Sequence, residues 1–248
     1  MNIGVCISHV PDTAAKIKIK EDLSQIDYTS VPFIINPYDE FAMEEAIRIK
    51  EKSGGTTYAI SLGKDGVKES LRKALATGID EAIHIKTELE LDSSAVAKNL
   101  CDEIKSLNLE LVFMGKQSVD FDSSATGQIL SELLGFNCIT NCVSFSLDGR
   151  NVRAEREIEG GREVLETTLP VIITAQKGLN EPRYASLKGI MAAKKKNIVE
   201  KNAAYTECKT KVIGFSLPKG KSAGKVLSAD SDGVKELVRL LKEEAKVF

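Results

Sequence analysis

The sequence contains few of the residues from which metal, disulfide and nucleophilic sites are usually built. Its two histidines are His9 and His84, and its five cysteines are scattered along the chain. An odd number of cysteines argues against a disulfide framework and favours a reducing compartment. Cys138 and Cys142 lie four residues apart, but no second cysteine pair or nearby histidine completes a zinc site. We therefore expect structural thiols and no metal site, with His84 packed in a strand because no acid, cysteine or second histidine accompanies it.

Long apolar runs and a surplus of either charge are also missing. No run approaches the ~20 residues that a helix needs to span a membrane, and no apolar or arginine-rich leader precedes the first strand at Asn2. The formal net charge is −2, so the overall charge does not favour nucleic acid or an anionic membrane as a partner. We expect a cytosolic protein that binds no nucleic acid.

The usual catalytic motifs are absent as well. No G-x-G-x-x-G motif follows the first strand, and there is no HExxH motif, Ser/His/acid set or cysteine with a plausible histidine base. Gly214 and the run Gly220-Lys221-Ser222 resemble a P-loop, but five residues separate the glycines instead of four and no helical pattern follows. We therefore predict no catalytic residue and no bond-making activity of the chain itself.

What the sequence does contain is a regular alternation of strand and helix patterns. Of the 248 residues, 42% are hydrophobic, which is enough for one large core. Short apolar runs alternate with amphipathic stretches from Ile3 to Leu134, an order typical of a parallel sheet with helices on both faces. Asp148-Gly149 predicts a hairpin that departs from this order. The predicted fold is a doubly wound, mostly parallel, Rossmann-like α/β fold.

The pattern divides the chain after residue 196. Residues 1–196 form the predicted α/β domain, whereas residues 197–248 form a predicted C-terminal arm, because their composition is polar and weakly periodic until Gly233. An apolar stripe from Val234 to Leu241 predicts an amphipathic helix at the end of this arm. Such an arm reaches a partner or folds back over its own core, and the sequence leaves both possibilities open.

The segment from Leu109 to Gly135 is the strongest candidate for a binding site. It contains a short apolar strand, a polar loop longer than the ~2 to 6 residues usual for such connections, and a helix. Loops at the carboxyl ends of parallel strands bind ligands, and the free amides of a helix N-terminus favour a phosphate. Gly127, near the helix start, costs about 1 kcal/mol relative to alanine, which indicates a close backbone approach. We predict a nucleotide site here, with capping of the helix by Asp or Ser side chains as the alternative.

The segment from Leu179 to Met191 is a predicted contact surface. Its apolar residues have no amphipathic period that would bury them all, and Pro182 and Gly189 interrupt it. The run Lys194-Lys195-Lys196 follows it and is typical of a solvated helix end. We expect another protein to bind to this surface.

Three motifs follow one another along the chain. They are Asn36-Pro-Tyr-Asp-Glu-Phe-Ala-Met-Glu-Glu-Ala-Ile-Arg, Gly115-Lys-Gln-Ser-Val-Asp-Phe-Asp continuing to Thr126-Gly-Gln, and Asn180-Glu-Pro-Arg-Tyr-Ala-Ser-Leu with Met191-Ala-Ala-Lys-Lys-Lys. With these motifs in this order, the chain resembles the β subunits of electron transfer flavoproteins nearly from end to end. The resemblance implies a heterodimer in which a larger α subunit carries the redox FAD. The β subunit binds AMP in most members and a second FAD in electron-bifurcating members.

The resemblance also assigns residues to the nucleotide. By hypothesis, the amides of Thr126, Gly127 and Gln128 face the phosphate, while Asp120 or Asp122 accepts hydrogen bonds from ribose hydroxyls or caps the helix. The positions that the resemblance assigns to the nucleotide site are Cys6, Asn36, Pro37, Tyr38, Asp39, Leu62, Gly63, Asp120, Phe121, Asp122, Ser123, Ser124, Thr126, Gly127 and Gln128.

A second group of positions, in the segment 179–196, resembles the family's recognition loop, which docks dehydrogenases. The partner-binding positions implied in this way are Pro182, Arg183, Tyr184, Leu187, Ile190 and Met191. The intact Asn180-Glu181-Pro182 favours the non-bifurcating branch, because bifurcating members tend to lose it.

The resemblance implies an electron carrier that has AMP in this subunit and FAD mainly in the α subunit. Electrons would pass from acyl-CoA dehydrogenases of fatty acid oxidation, or from other dehydrogenases, to a membrane quinone oxidoreductase. The expected location is the bacterial cytoplasm or, for a processed eukaryotic chain, the mitochondrial matrix. Two alternatives stay open: a bifurcating β subunit with a second FAD, and a stand-alone nucleotide hydrolase or transferase.

Overall fold

The structure, a computed structural model, describes residues 1–220 and 223–248, which fall into two compact units. The first unit contains residues 1–18 and 26–213, and the second contains residues 19–25 and 214–248. Lys221 and Ser222 of the P-loop-like run lie outside the described residues. All the predicted site residues belong to the first unit.

From Phe33 to Leu134 strands and helices alternate as the sequence predicts, whereas strands follow one another before residue 36 and from residue 137 to residue 175. The strands of the described residues are β1 (Asn2–Cys6), β2 (His9–Pro11), β3 (Lys18–Ile19), β4 (Ile26–Asp27), β5 (Phe33–Ile35), β6 (Thr56–Gly63), β7 (Glu81–Lys86), β8 (Leu111–Gly115), β9 (Asn137–Asp148), β10 (Asn151–Ile158), β11 (Gly161–Thr168), β12 (Val171–Ala175) and β13 (Val199–Asn202). The helices are α1 (Pro37–Ser53), α2 (Val67–Thr77), α3 (Ser93–Ser106), α4 (Thr126–Leu134), α5 (Leu187–Ala193) and α6 (Ser231–Arg239).

A nine-stranded sheet organises the first unit, in the order β11-β10-β9-β12-β8-β1-β6-β7-β13. All neighbouring pairs from β9 to β13 in this order are parallel, whereas β10 and β11 extend one edge as antiparallel strands. The hairpin predicted at Asp148-Gly149 joins β9 to β10. The chain begins at β1 in the middle, builds outward to β7, and returns to β8 on the other side of β1. The predicted doubly wound, mostly parallel fold is confirmed.

The core consists of two buried clusters, one on each face of the sheet. Successive side chains of a strand point to opposite faces, so each central strand contributes to both clusters. This burial on both faces explains why the strands are continuous apolar runs. Members of the first cluster include Val5, Phe113, Met43 of α1 and Leu71 of α2, and members of the second include Cys6, Met114, Leu100 of α3 and Leu130 of α4.

Two elements of the first unit differ from the sequence prediction. Val199–Asn202, which the sequence places in a weakly periodic arm, forms β13 and pairs with β7 at the sheet edge. Leu187–Ala193 forms the helix α5 instead of an irregular segment, and Ser186 caps it by accepting a hydrogen bond from the Gly189 N–H. Both elements are short and exposed, so neither leaves a periodic apolar signal. The domain division after residue 196 stays a prediction, although the first unit extends to residue 213.

The second unit contains the predicted C-terminal helix in a shorter form. Helix α6 is capped by Asp230, whose carboxylate accepts a hydrogen bond from the Gly233 N–H, and it passes into a π-helical turn at Leu240–Glu244. Val234 and Leu237 of its apolar stripe are exposed. None of the helices in the described ranges combines the length and the apolar character that crossing a bilayer requires.

Candidate functional site

The carboxyl ends of three neighbouring strands bring the predicted nucleotide residues to one edge of the sheet. β1 lies between β6 and β8, and Cys6 at its end pairs with Ile60 and Met114. The winding reverses direction between β1 and β8. In open α/β sheets, ligands bind outside the carboxyl ends of the strands at such a reversal. The loops that follow β1, β6 and β8 therefore surround the place where this fold binds ligands.

The turn from Asn36 to Asp39 connects the loops after β1 and β8. The Asp39 carboxylate accepts hydrogen bonds from the Ser8 N–H at 2.7 Å and from the Gly115 N–H at 2.7 Å. Asn36 donates from Nδ2 to the Gln117 carbonyl at 2.9 Å and accepts from the Val119 N–H at 3.2 Å. Both side chains are buried. They are used for long-range bonds and not for capping, since no side-chain cap bond forms at the start of α1.

Burial governs the ionisation of two predicted site residues. It raises the pKa of Asp39 to about 7, although hydrogen bonds from Ser8, Asn36 and Gly115 act in the opposite direction. It also raises the pKa of the Cys6 thiol to about 12, and the charge of Asp39 adds to this effect. Cys6 is therefore a neutral thiol whose side chain lies in the core, so only its backbone faces the ligand edge.

Gly115 is closely surrounded by the Asn36–Asp39 turn. A Cβ atom at this position would lie 2.3 Å from Asp39 Oδ1 and 2.6 Å from Tyr38 Cβ, so a side chain would displace the turn. Pro37 is the first residue of α1, where its missing N–H loses no hydrogen bond. The Tyr38 ring lies 5.1 Å from the Lys116 ammonium, a cation–π distance. These contacts fix the backbone between β8 and its loop.

The end of β6 supplies Leu62 and Gly63. Leu62 packs against the second core cluster. The Gly63 carbonyl accepts hydrogen bonds from His84 Nε2 at 2.8 Å and from the Thr87 N–H at 3.1 Å. The Gly63 carbonyl is therefore hydrogen-bonded to His84 of β7 and to Thr87, the residue that follows β7.

The loop after β8 is exposed, but its backbone is held in a defined shape. Gln117 donates from Nε2 to Asp122 Oδ1 at 2.5 Å and accepts from the Ser124 hydroxyl at 2.7 Å. Asp122 and Ser124 have left-handed backbones with φ of 51° and 47°, which costs a non-glycine residue about 1 kcal/mol or more each. Asp120, Phe121 and the other predicted residues up to Ser124 are exposed. A strained, internally bonded loop of this kind is typical of a binding site.

The start of α4 offers free backbone donors to this edge. No side chain among residues 1–220 and 223–248 caps the helix, and the helical bonds begin with the Ile129 N–H donating to the Ala125 carbonyl at 3.0 Å. The N–H groups of Thr126, Gly127 and Gln128 precede this first bond, and such groups favour an anion. The capping alternative for Asp120, Asp122 and the serines is therefore wrong for the described structure.

Gly127 has a packing role in addition to any contact with a ligand. A Cβ atom there would lie 2.7 Å from Thr174 Cγ2 of β12 and 3.2 Å from Met114 Sδ of β8. The glycine therefore lets α4 approach the sheet closely. This close contact explains why a glycine, which is less favourable than alanine in a helix, occupies this position.

The donor set at this edge fits a nucleoside monophosphate. Backbone N–H groups suit a phosphate, and the exposed carboxylate of Asp120 and the hydroxyl of Ser123 suit ribose hydroxyls. Each of the two predicted acids already accepts one hydrogen bond, Asp122 from Gln117 Nε2 and Asp120 from the Phe121 N–H at 2.9 Å. Sequence reasoning missed Gln117 and Ser8, since a loop position alone does not reveal a hydrogen-bond partner.

An open depression of about 460 Å³ lies at the opposite edge of the sheet, near Asn2, Glu110 and Arg150. Arg150 there is already paired with Glu110 at 2.8 Å. Because ligands of open α/β sheets bind at the carboxyl ends of the strands, we assign no ligand to this depression.

The predicted recognition loop presents apolar side chains to solvent. Tyr184 is 97% exposed, Leu187 is 78% exposed, and Ile190 and Met191 at 42% and 55% extend this surface along α5. Pro182 is half-buried at its base. An exposed apolar cluster on a helix fits a protein contact surface.

Arg183 anchors this loop on α1. Its guanidinium donates to both carboxylate oxygens of the buried Glu44, at 2.8 and 3.0 Å, and to Glu51 at 2.5 and 2.9 Å. Asn180 donates to the Phe41 carbonyl at 3.0 Å nearby. Arg183 therefore holds the loop in place, and its predicted contact with a partner stays a prediction.

Arg183→Ala is expected to lower the free energy of unfolding by about 1–2 kcal/mol, because it leaves a buried carboxylate with fewer donors and the arginine itself is partly exposed. Burial raises the pKa of Glu44, but hydrogen bonds from Arg183 and Arg48 outweigh it, and the net pKa is below the usual 4.5. A carboxyl group whose pKa is lowered by folding stabilises the fold at pH values above its unfolded-state pKa. This stabilisation is lost as the pH falls through its folded-state pKa.

Urea unfolding should therefore show that the difference between the wild type and Arg183→Ala shrinks as the pH falls below about 4.5. Lys188→Ala, which removes an exposed cation from the same segment, is the matched control and should change stability by less than ~0.5 kcal/mol. Equal stabilities of Arg183→Ala and Lys188→Ala at neutral pH would contradict the anchoring role.

Comparison with known proteins gives one consistent result. The electron transfer flavoprotein domain matches residues 25–205. The electron transfer flavoprotein subunit beta of Bacillus subtilis is 42% identical over 259 residues, covering 100% of both chains. The subunit beta of Mus musculus is 38% identical over 252 residues, covering 98% of this chain and 97% of its own. The mitochondrial subunit beta of Arabidopsis thaliana is 37% identical over 257 residues, covering 100% of both chains.

The matches to the Bacillus subtilis and Arabidopsis thaliana proteins extend along the whole chain and include β1, β6, β8 and α4, whose ends form the candidate site. The sheet order and the loop after β8 agree with the fold expected from the sequence motifs. Identity of this extent over full length shows that the chain belongs to the electron transfer flavoprotein family, as a β subunit.

Proposed function

We propose that this chain shuttles electrons, together with an α subunit, from acyl-CoA or other dehydrogenases to a membrane quinone oxidoreductase. Its family makes it one subunit of a heterodimeric, flavin-dependent electron carrier. In this proposal the α subunit holds the redox FAD, this chain binds AMP as a structural ligand, and it catalyses no bond chemistry of its own.

The observation that best supports AMP is the uncapped start of α4 beside the exposed loop after β8. The N–H groups of residues 126–128 would hold the phosphate, and Asp120 with Ser123 would hold the ribose. AMP has no redox centre, so it would supply only binding free energy, which stabilises whichever state binds it. Asn36 and Asp39 would act indirectly, by fixing the backbone of the loops.

The test is to co-purify the chain with its α partner, denature the complex and quantify the released nucleotides by chromatography. One FAD and one AMP per heterodimer is the expected result. Two FAD and no AMP would move the assignment to the bifurcating branch, which the intact Asn180-Glu181-Pro182 does not favour. Neither nucleotide would contradict the proposal, and ATP hydrolysis by the isolated chain would favour a stand-alone enzyme.

The exposed apolar surface of the recognition loop supports a dehydrogenase as docking partner. Leu187→Ala should slow electron acceptance from a partner dehydrogenase by about tenfold, because an apolar anchor at an interface is worth over 1 kcal/mol. Flavin reduction followed by absorbance at limiting dehydrogenase gives the rate. Ile158→Ala, which truncates another exposed apolar residue on β10, should leave that rate unchanged. Equal rates for the wild type and Leu187→Ala, at equal FAD content, would refute the docking role.

We propose a cytoplasmic location in a bacterium, or the mitochondrial matrix for a processed eukaryotic chain. The free cysteines support a reducing compartment. Relatives include a bacterial protein and one whose name places it in mitochondria.

A further inference from the structure

A second polar cluster lies on the two outermost strands at one side of the sheet, β7 and β13. His84 of β7 and Glu200 of β13 are paired residues of the parallel ladder, so their side chains lie next to each other. Asp65, just before α2, approaches the same place. One ligand atom from each of these three residues lies within 4.8 Å of the other two. This group could not be predicted from the sequence, because the three residues are far apart along the chain.

His84 is fully buried, and its two ring nitrogens have different surroundings. Nε2 lies 2.8 Å from the Gly63 carbonyl, which can only accept, so Nε2 carries the hydrogen. Nδ1 then presents a lone pair, and it has no hydrogen-bond partner in the described part of the chain. Its closest charged neighbour is Glu200 Oε2 at 3.6 Å, another acceptor and too distant for a good hydrogen bond. The approach of two acceptors is unfavourable, and a cation that lies between them would stabilise it.

The two carboxylates of this cluster are exposed, and two lysines pair with them. Lys68 Nζ lies 2.8 Å from Glu200 and 3.1 Å from Asp65, while Lys86 Nζ lies 3.2 Å from Asp65. The lysines balance the two negative charges, but neither provides a bond to His84 Nδ1. A divalent cation could replace both ammonium groups and also bind the imidazole.

We propose that His84, Asp65 and Glu200 bind a divalent transition metal ion, with Zn²⁺ as the best match. One imidazole and two carboxylates are ligands that Zn²⁺ accepts, with water in the fourth position. Two ligands of a tetrahedral zinc ion are separated by about 3.3 Å, close to the present separation of His84 Nδ1 and Glu200 Oε2. Both carboxylates are exposed, and shifts of up to about 1.5 Å would bring all three ligand atoms to this separation. The His84 Nε2–H bond to a backbone carbonyl is the usual outer bond of a metal-binding histidine.

Such a metal would connect three segments that otherwise meet only at the sheet edge. Glu200 would fasten β13, Asp65 would fasten the start of α2, and His84 would connect both to the end of β6 through Gly63. Metal binding should therefore stabilise the fold, because it occurs only in the folded arrangement.

The test is a calorimetric titration of Zn²⁺ into the metal-free full chain at neutral pH, with thermal unfolding as a second measurement. We expect one Zn²⁺ per chain and a rise in Tm. Glu200→Gln, which changes a partly exposed side chain, should weaken binding at least ~10-fold and abolish the rise in Tm, and His84→Gln should do the same. Glu88→Gln, an exposed acid near the end of β7, is the control and should bind as the wild type does.

Lys68→Gln provides an independent check, because removal of the competing ammonium should strengthen Zn²⁺ binding at this cluster and at no other place. Equal affinity of the wild type, Glu200→Gln and Glu88→Gln would overturn the proposal, even where His84→Gln fails to fold. An absence of zinc-dependent heat and of any change in Tm would overturn it as well.

Discussion

Replacing Asp39 with alanine should lower the free energy of unfolding by about 2–5 kcal/mol and release bound nucleotide. The Asp39 carboxylate is the acceptor for the N–H groups of Ser8 and Gly115, which lie in the loops after β1 and β8. Each buried donor that loses its acceptor costs about 1–3 kcal/mol. The two loops that the carboxylate joins are those that would surround the nucleotide, so they should separate. Urea unfolding and nucleotide analysis of the purified heterodimer measure the two effects.

Two further variants make this experiment specific. Glu40→Gln changes the neighbouring exposed acid in the same turn of α1 and should alter stability by less than ~0.5 kcal/mol. Asp39→Asn retains one acceptor oxygen but turns an amide donor toward the other N–H. Its loss of stability should therefore lie between those of Glu40→Gln and Asp39→Ala. If Asp39→Ala were as stable as Glu40→Gln and kept its nucleotide, the connecting role of Asp39 would be excluded.

The same carboxyl group should make stability depend on pH. Burial raises its pKa from 3.8 to about 7, so the folded chain binds more protons than the unfolded chain between these values. Stability contributed by this group is therefore present at low pH and decreases as the pH rises through this window. Relative to Asp39→Asn, the wild type should lose stability between about pH 4 and pH 7, and parallel pH profiles would contradict this.

Gly127→Ala should also have a large effect, with a loss of stability of about 1–3 kcal/mol and of bound nucleotide. The added methyl group would lie 2.7 Å from Thr174 Cγ2, so α4 must move away from β12 and carry its free amides with it. Alanine has a higher helix propensity than glycine, which by itself would raise stability by up to about 1 kcal/mol. A net loss of stability is therefore a strict test of the close contact between α4 and β12. Gly127→Val, with a larger side chain, should release the nucleotide more completely and weaken heterodimer formation.

The double variant Gly127→Ala with Thr174→Ser separates packing from ligand binding. Thr174→Ser removes Cγ2 but keeps the hydroxyl oxygen that accepts the Asn141 N–H at 3.1 Å. The double variant should regain most of the lost stability and nucleotide, whereas losses that simply add would contradict the packing explanation. Recovery of stability without recovery of nucleotide would instead assign a direct ligand role to this part of the backbone.

Much of the fold could be predicted from the sequence because it depends on local patterns. The parallel strands are buried on both faces, which requires apolar runs such as Ile3–Ile7, and the helices between them need an apolar stripe. The hairpin at Asp148-Gly149 follows from turn chemistry. β13 and α5 were not predictable in this way, because four exposed residues at a sheet edge and a capped helix of seven residues carry no periodic signal.

The candidate site was predictable in its location but not in its bonds. The sequence indicated the loop after β8, the turn at Asn36–Asp39 and the exposed apolar residues around Leu187, because loops at strand ends and unburied apolar side chains are local features. It could not show that Asp39 bonds to Gly115, since 76 residues separate them. The sequence also left open whether Asp120 or Asp122 contacts ribose hydroxyls or caps α4, and in the structure Asp122 accepts a hydrogen bond from Gln117 and does not cap the helix.

Most of the strands and helices, the family and the segments that can bind follow from the sequence, because these depend on residue types and their spacing. Which of those residues contact one another depends on the tertiary structure. Asp39 connects two loops, and Arg183 anchors the recognition loop. His84 lies next to Asp65 and Glu200. The physical reason is that hydrogen bonds and ion pairs act over a few ångströms, and only the winding of the sheet brings such distant residues to that separation.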